Sequence, residues 1–286
     1  MDAAAGIRQI NFVWKMIEGQ PPRAERMTGL SAGQLAELVD RVREIVGPWE
    51  KPAVGRPHVL PLPAAVVAVL FGLRHNLPDD VVGEVFGCSQ ATITRYHEVL
   101  HPILRWVTRP EVDKQYERAR AGGVLVDGFV APVGERDGYH GLFSGKKHVS
   151  GQNVQVVADL DGRVTDVGDP VPGARHDAAA FFISGIAERW AAHYAPGGPG
   201  MIGDGGYQGT GPITPHKKPP GGELTAKQKS YNYSINRLRA AVERAIAHLK
   251  NWKILKTGYH RDHDRLPRPL THRHRVGGLQ SLGTKF

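Results

Sequence analysis

Three carboxylates that lie far apart in the sequence are the first candidates for chemistry. Asp127 interrupts the apolar run 122–133, Asp204 ends the short apolar run 200–204, and Glu243 lies in a stretch with helical spacing. A buried carboxylate is costly unless it is protonated, paired or bound to a metal, and grouped carboxylates repel one another unless a divalent cation lies among them. Singly, Asp127 could be a turn or sheet-end aspartate and Asp204 a loop cap. Together they predict a catalytic, metal-binding triad.

Ligation by oxygen alone, with open positions for water, is what Mg²⁺ or Mn²⁺ prefers. Two such ions about 3.5–4 Å apart can activate a water or hydroxyl and stabilise the leaving oxygen of an in-line phosphoryl transfer. We therefore expect Mg²⁺ or Mn²⁺ as the cofactor, with two ions at the site.

The helix that carries Glu243 has one polar face and one apolar face. At 100° per residue, Asn236, Arg239, Glu243 and Lys250 fall within an arc of about 60°. Arg239 and Lys250 are candidates for holding phosphate oxygens on either side of the glutamate; the alternative is simple i,i+4 pairing of Arg239 with Glu243. The apolar stripe on the other side consists of Leu238, Val242, Ala245, Leu249 and Trp252.

The positive charge is concentrated in one part of the chain. The 286 residues include 37 Lys and Arg against 28 Asp and Glu, a net charge of +9. Residues 217–261 contain eleven of the basic residues and only two acids, so they account for the whole excess. Such a block favours contact with a polyanion over a merely solvated face. Candidates for contact with a nucleic-acid backbone are Lys146, Lys147, Lys217 and Lys218.

Several classes of protein are excluded or disfavoured. A single cysteine, Cys88, rules out a disulfide framework and zinc sites built on cysteine. The apolar run 64–73 is half as long as the roughly 20 residues that a membrane helix needs. GDGGYQG at 203–209 fails the dinucleotide-loop pattern, because Gln208 stands at the third glycine position. We expect a cytoplasmic, nucleoid-associated protein with no membrane partner.

Helical patterns dominate the first third of the chain. Ser31 and Gln34 form an expected capping box for a helix that Gly47-Pro48 ends. Three short helices follow between 63 and 107, and a tight turn at Gly87-Cys88-Ser89 separates the last two. This is the outline of a helix-turn-helix, although any small helical bundle could look the same. Its third helix would present Gln90, Thr92, Thr94 and Arg95 to a DNA groove.

The pattern changes to strands from Gly122. We expect strands at 122–133, in 146–168 as a hairpin turning at Asp161-Gly162, and at 200–204. Helices are expected from His176 and over about 234–255, so the fold class is α/β with a mixed sheet. The expected domains are 1–60, helical segment and linker; 61–108, helix-turn-helix; 121–260, catalytic domain; and 261–286, an irregular basic tail.

Five motifs in this order resemble the DDE transposases of bacterial insertion sequences, in the branch related to the eukaryotic Harbinger transposases. They are VDGF around Asp127, FSGKKHVSGQNVQVV at 143–157, PVPGARHDAAAF at 170–181, GDGGYQG around Asp204, and NRLRAAVERAIAHLKNWKIL at 236–255. The resemblance implies an RNase H-like catalytic fold. It also implies Asp127, Asp204 and Glu243 as the metal-binding triad, with Arg239 and Lys250 as basic companions.

The chain departs from the family pattern in three places. Asn236 stands where a tyrosine is frequent, and Phe129 where a small hydroxyl residue is common. Residues 261–275 are rich in Arg, His and Pro and lack periodicity, as in a degenerate or frame-disrupted end.

Three functions remain open from the sequence. The first is a transposase that binds terminal inverted repeats of double-stranded DNA, cleaves strands with a divalent metal and joins the freed 3′ end to a target, as a homodimer or larger assembly. The second is a catalytically decayed protein that only occupies element ends. The third is an RNase H-type nuclease, which would not explain the helix-turn-helix.

Overall fold

The computed structural model describes residues 21–49, 57–133 and 141–258. Contacts divide the described chain into two compact units. The first runs up to Arg109 and resumes at Asn251, and the second runs from Pro110 to Lys250. No helix of the described residues is long and apolar enough to cross a membrane. Residues 50–56 of the expected linker at 48–63 and the whole tail 261–286 lie outside the described residues.

The first unit is built from helices. They are α1 (Pro21–Thr28), α2 (Ala32–Val46), α3 (Leu62–His75), α4 (Asp79–Phe86) and α5 (Gln90–Ala119), whose residues from Pro110 onward belong to the second unit. The capping box of α2 is confirmed: the Ser31 hydroxyl accepts from the Gln34 amide, and the Gln34 side chain accepts from the Ser31 amide. Gly47 ends α2, as expected. The predicted third short helix is longer than expected, because α5 continues past Pro102 and Pro110.

The turn between α4 and α5 is held by close backbone packing. Gly87 ends α4 with a φ of 68°, a conformation that favours glycine. The Ser89 hydroxyl then accepts from the Thr92 amide at the start of α5. Gly83 lies against this turn, since a Cβ at that position would be 2.5 Å from the Cys88 carbonyl oxygen.

The first unit also includes the end of the described chain. Trp252 is buried, and the Arg74 guanidinium lies 5.5 Å from the centre of its indole ring. Asn76 Nδ2 donates to Thr257 Oγ1 at 2.8 Å. From the sequence, these residues were grouped with the catalytic domain; their contacts are with α3.

The second unit is a mixed six-stranded sheet, and this confirms the expected α/β class. The strands are β1 (Val124–Pro132), β2 (Phe143–Ser144), β3 (Val149–Asp159), β4 (Val164–Val167), β5 (Val171–Pro172) and β6 (Met201–Ile202). The order β2-β3-β1-β6 places β1 between an antiparallel β3 and a parallel β6, while β4 and β5 also pair with β3.

Helices complete the second unit. They are α6 (Asp177–Ile183), α7 (Ile186–Arg189), α8 (Ala191–Tyr194), a 3-10 helix (Gly205–Tyr207) and α9 (Ala226–Leu249). One core packs Val124, Val126 and Val157 against Phe181, Trp190 and Tyr207. On β1 the even-numbered side chains therefore face α6, and alternation turns Asp127 and Phe129 to the other face. There Arg239 and the residue after α9, Lys250, approach them.

The sequence predicted the hairpin but not every helix end. The turn at Asp161-Gly162 joins antiparallel β3 and β4, and Gly162 has a φ of 86°. A single helix after His176 was expected, but Gly185, with a φ of 76°, separates α6 from α7. The last helix begins at Ala226, earlier than expected, because Thr225 and Gln228 form a second capping box.

The expected apolar stripe of α9 is only partly correct. Leu238 is exposed, although it lies on the same arc as the buried Val242, Ala245 and Leu249. Ile235 and Ile246, which were left out of the predicted stripe, are buried. The buried stripe of α9 is thus broader than predicted.

A buried carboxylate on β4 ties that strand to α7. Asp166 accepts from Arg189 Nε and from the indole Trp190 Nε1, both at 2.8 Å. A buried acid with two donors, one of them cationic, is largely compensated for its lost hydration. Asp166 therefore has a structural explanation and is not a candidate for chemistry.

We predict that Gly83→Ala destabilises the first unit by about 2 kcal/mol, because the new methyl group would collide with the Cys88 carbonyl. Gly33→Ala is the matched control: Gly33 is also helical, has nothing within 4 Å of an added Cβ, and should be neutral or slightly stabilising. Urea unfolding followed by circular dichroism measures both. Equal effects of the two substitutions would contradict the packing argument.

Candidate active site

Asp127 lies in the middle of β1, opposite Val156 of β3. Its Oδ1 accepts from the Gly128 amide at 2.8 Å, and its Oδ2 lies 3.5 Å from Arg239 Nη2. Burial raises the pKa of Asp127 to about 6; the Gly128 amide and Arg239 oppose this rise, while Asp204 and Asp177 add to it. The site thus contains a desolvated carboxyl group that resists ionisation.

Asp204 follows β6, and the parallel pairing of β6 with β1 brings it towards Asp127. Its side chain caps the 3-10 helix, with Oδ1 accepting from the Gly206 amide at 2.7 Å. The loop-cap alternative for Asp204 is therefore a real contact. It does not exclude chemistry, because the Asp204 charge acts on Asp127.

Arg239 lies between Glu243 and Asp127 and is within ion-pair distance of both. Arg239 Nη2 lies 3.5 Å from Asp127 Oδ2 and 4.0 Å from Glu243 Oε1. The Glu243 side chain is 60% exposed, whereas that of Arg239 is only 13% exposed. Arg239 Nε is buried and has no hydrogen-bond partner among the described residues. The i,i+4 pairing considered for these two residues is present at the outer limit of an ion pair.

The side chains near Asp127 provide the oxygen ligands that a hard divalent cation prefers, but they are not arranged as a metal site. Asp127, Asp204 and the neighbouring Asp177 offer only oxygen atoms, and their mutual repulsion is what a cation would relieve. Across 21–49, 57–133 and 141–258, however, no three His, Cys, Asp or Glu side chains are grouped closely enough to hold a metal ion.

The predicted lysines occupy different places. Lys146 Nζ lies 3.3 Å from Asp177 Oδ2. Lys217 extends along the Asp204 loop, because a Cβ on Gly205 would be 3.7 Å from Lys217 Cε. Lys250 Nζ lies 5.2 Å from the centre of the Phe129 ring. Lys147 is exposed, and Lys218 pairs with Glu223 at 2.6 Å.

The four residues predicted to face a DNA groove differ in exposure. Gln90 and Arg95 are exposed on α5. Thr92 is buried, with its hydroxyl 2.9 Å from that of Ser89. Thr94 Oγ1 donates to Asp79 Oδ2 at 2.7 Å. The two threonines therefore use their hydroxyl groups within the first unit.

A buried chain of side-chain hydrogen bonds lies on the α6 face of the sheet. Tyr207 donates its hydroxyl to Gln155 Oε1, Gln155 Nε2 donates to Asn153 Oδ1 at 2.8 Å, and Asn153 Nδ2 donates to Asp177 Oδ1 at 3.0 Å. Burial raises the pKa of Tyr207 well above its ordinary value, so its hydroxyl keeps its proton. This chain of hydrogen bonds runs from Tyr207, the last residue of the 3-10 helix after Asp204, to the carboxylate of Asp177.

Sequence reasoning missed Asp177, Asn153, Gln155 and Tyr207 as members of this region. Asn153 and Gln155 gave a signal: they alternate with valines in a strand that was otherwise predicted to be apolar. Asp177 gave none, because an acid at the start of a helix is ordinary.

Gly128 allows this chain of hydrogen bonds to pass close to β1. A Cβ there would lie 2.5 Å from Gln155 Nε2 and 2.9 Å from Asp177 Oδ1. We predict that Gly128→Ala destabilises the second unit by about 2 kcal/mol through overpacking. Gly122→Ala, where a Cβ would meet nothing within 4 Å, should stay within about 0.5 kcal/mol of the parent. Urea unfolding tests both, and an unaffected Gly128→Ala variant would refute the close approach.

We further predict that Asp127→Asn stabilises the metal-free protein at pH 8 but not at pH 4. With a folded pKa of about 6 against an ordinary 3.8, the unfolded chain releases its proton first as pH rises. Wild-type stability is then lost between those values, by at most about 3 kcal/mol.

Thermal melts in EDTA across this pH range measure the gain. Asp161→Asn, at an exposed turn carboxylate, is the control and should show no such gain. A stability difference between Asp127→Asn and wild type that does not change with pH would contradict the desolvation of Asp127.

Known proteins resemble this chain over most of its length. Residues 126–272 match the family model described as DDE superfamily endonuclease. A protein of Streptomyces albus G, named as a transposase for insertion sequence element IS112, is 33% identical over 240 residues, covering 83% of this chain and 87% of that protein. A protein of Microchaete diplosiphon, named as a transposase for IS702, is 27% identical over 252 residues, covering 84% and 88%. No solved structure matches the chain significantly. The chain therefore belongs to the DDE superfamily endonucleases, the family of these insertion-sequence transposases.

Proposed function

We propose that this protein is a transposase that binds the terminal inverted repeats of its element and catalyses divalent-metal-dependent DNA cleavage and strand transfer. The observation that carries the proposal is the approach of Asp204 to the desolvated Asp127 across the parallel β1–β6 pair, in a chain of this family. A structural role alone would favour an apolar residue in place of Asp127.

Asp127, Asp204 and Glu243 are proposed as the catalytic residues that hold Mg²⁺ or Mn²⁺, two ions in all. When bound, such ions lower the pKa of an attacking water and stabilise the charge on the leaving oxygen. Support comes from the oxygen-only donor set and the charge repulsion around Asp127. The exposed Glu243 side chain would turn from Arg239 towards the two aspartates.

The proposed reaction has two balanced steps. In the first, water attacks the phosphorus at the element end and gives up a proton, the bond to the 3′ oxygen breaks, and that oxygen takes a proton to become a 3′-hydroxyl. In the second, this hydroxyl attacks a target phosphodiester, loses its proton, and displaces a 3′ oxygen of the target strand, which takes up a proton. Arg239, with an unsatisfied Nε–H, and Lys250, beside Phe129, are proposed to bind phosphate oxygens near the aspartates.

Binding of the element ends is assigned to α4 and α5 of the first unit. Gln90 and Arg95 are the exposed candidates for base or phosphate contact, and Thr92 and Thr94 support the turn that presents them. Lys146, Lys147, Lys217 and Lys218 are proposed to contact the DNA backbone, an interaction that weakens as salt rises. We propose action in the cytoplasm at the nucleoid, as a homodimer or larger assembly, because two ends must be paired.

A second candidate function is a DNA-binding protein that occupies element ends without cutting them. The observation that favours it is the position of Glu243, largely exposed and separated from Asp127 by Arg239. Binding of end duplexes without cleavage in Mg²⁺ or Mn²⁺, by folded protein, would select this alternative.

We predict that Asp204→Asn leaves binding to duplexes from the flanks of its own gene nearly unchanged but abolishes Mg²⁺-dependent nicking. The amide keeps an oxygen to cap the 3-10 helix, so folding should survive, whereas the charge for a cation is lost. Asp161→Asn, at the β3–β4 turn, is the control that should nick like wild type. Gel shift and denaturing gels measure the two activities; nicking by Asp204→Asn at the wild-type rate would remove Asp204 from the mechanism.

A further inference from the structure

Asp177 lies next to the Asp204 loop and below β1. A Cβ on Gly206 would be 3.4 Å from Asp177 Oδ2, and one on Gly128 would be 2.9 Å from Asp177 Oδ1. Its side chain is only 16% exposed. The carboxylate thus sits at the end of the sheet that carries Asp204, on the face opposite to Arg239.

The orientation of the Asp177 carboxylate is set by a chain of hydrogen bonds in which Asp177 Oδ1 is the final acceptor. Asn153 Nδ2 donates both to Asp177 Oδ1 and to the Arg175 carbonyl oxygen, and both of these atoms only accept. Asn153 Oδ1 must then accept from Gln155 Nε2, which leaves Gln155 Oε1 to accept from Tyr207. The direction of every hydrogen bond in the chain is therefore fixed, and the chain holds Asp177 Oδ1 in place.

The second oxygen of Asp177 is used by a lysine that reaches in from solvent. Lys146 Nζ lies 3.3 Å from Asp177 Oδ2, while the lysine side chain is 67% exposed. The pKa of Lys146 is raised, first by the charge of Asp177 and further by Asp204 and Asp127. An ammonium has three donors, and this contact uses one of them.

An ordinary surface ion pair would explain the contact alone, and such pairs contribute little to stability. It would not explain why the carboxylate is only 16% exposed and accepts a hydrogen bond from Asn153, which the fully buried Gln155 and Tyr207 hold in turn. That arrangement costs conformational freedom and is suited to fixing the position of a charge.

We infer that Asp177 is a positioning residue that holds the Lys146 ammonium beside Asp204, where it binds one fixed backbone phosphate of the DNA strand entering the proposed cleavage site. The inference rests on the proposed function. It adds to that function a specific anion-binding pair on the α6 face of the sheet, distinct from Arg239 and Lys250 on the α9 face.

The test neutralises one DNA phosphate at a time. Duplexes from the flanks of the protein's gene carry a single methylphosphonate at successive positions, and binding is measured without divalent ions. At one position next to the mapped cut, the substitution should weaken binding of wild type by about tenfold, the effect of losing one charge-assisted hydrogen bond. In Lys146→Met, which replaces a side chain that is 67% exposed and whose folding is checked by thermal melting, the same substitution should weaken binding by less than about twofold.

Two further variants separate positioning from charge. Asp177→Asn, checked by thermal melting, should lose most of the tenfold discrimination although Lys146 is still present. Lys229→Met, which removes an exposed lysine of α9 that has no proposed contact with DNA, should keep all of it. Retained discrimination in Asp177→Asn would overturn the positioning role.

The remaining outcomes also decide the inference. The inference would be overturned if each methylphosphonate weakened binding of wild type and of Lys146→Met equally at every position. It would also be overturned if the phosphate that depends on Lys146 lay far from the cut. Nicking by wild type in Mg²⁺ is scored separately. If the protein binds DNA and one phosphate depends on Lys146, but no nicking occurs, the proposed cleavage is refuted. Phosphate binding by Lys146, positioned by Asp177, would then still hold.

Discussion

The ionisation of Asp127 inside a sheet is the constraint on which the second unit depends. The carboxyl group lies between two hydrogen-bonded strands, and desolvation raises its pKa to about 6. One backbone amide and one partly buried guanidinium compensate for that cost only in part. Two more carboxylates then lie nearby and add to the repulsion. A site of this kind stores unfavourable electrostatic energy that a cation or a protonation event releases.

The two faces of the sheet place different groups around Asp127 and Gly128. On one face, α9 brings Arg239 to Asp127 and carries Glu243 beside it. On the other, a hydrogen-bonded chain connects Tyr207 with Asp177 and passes within contact distance of Gly128. Asp127 and Gly128 are adjacent in the sequence, so strand alternation directs the carboxylate to one face and leaves room for buried amides on the other. The Asp-Gly pair in β1 therefore has a separate physical reason for each residue.

Local signals in the sequence predicted most of the elements. The Ser31 capping box, the Asp161-Gly162 hairpin and the strand carrying Asp127 were confirmed because each depends on neighbouring residues. Asp127 and Asp204 could be predicted as neighbours from their strands. Asp177 could not, since its partners Asn153 and Lys146 are 24 and 31 residues away. The same limit applies to Leu238, whose exposure depends on what α9 packs against, and to Trp252, whose partner Arg74 lies in the first unit.

The place of residues 251–258 has a consequence for how such proteins diverge. The first unit is discontinuous, since its helices near the start of the chain are completed by Trp252 and Thr257 from beyond the second unit. A gene fusion that replaced only the helices before Arg109 would leave residues 251–258 without the side chains that they contact. The first unit can therefore be exchanged as a module only together with residues 251–258, whereas substitutions on the surface of its helices need no change elsewhere.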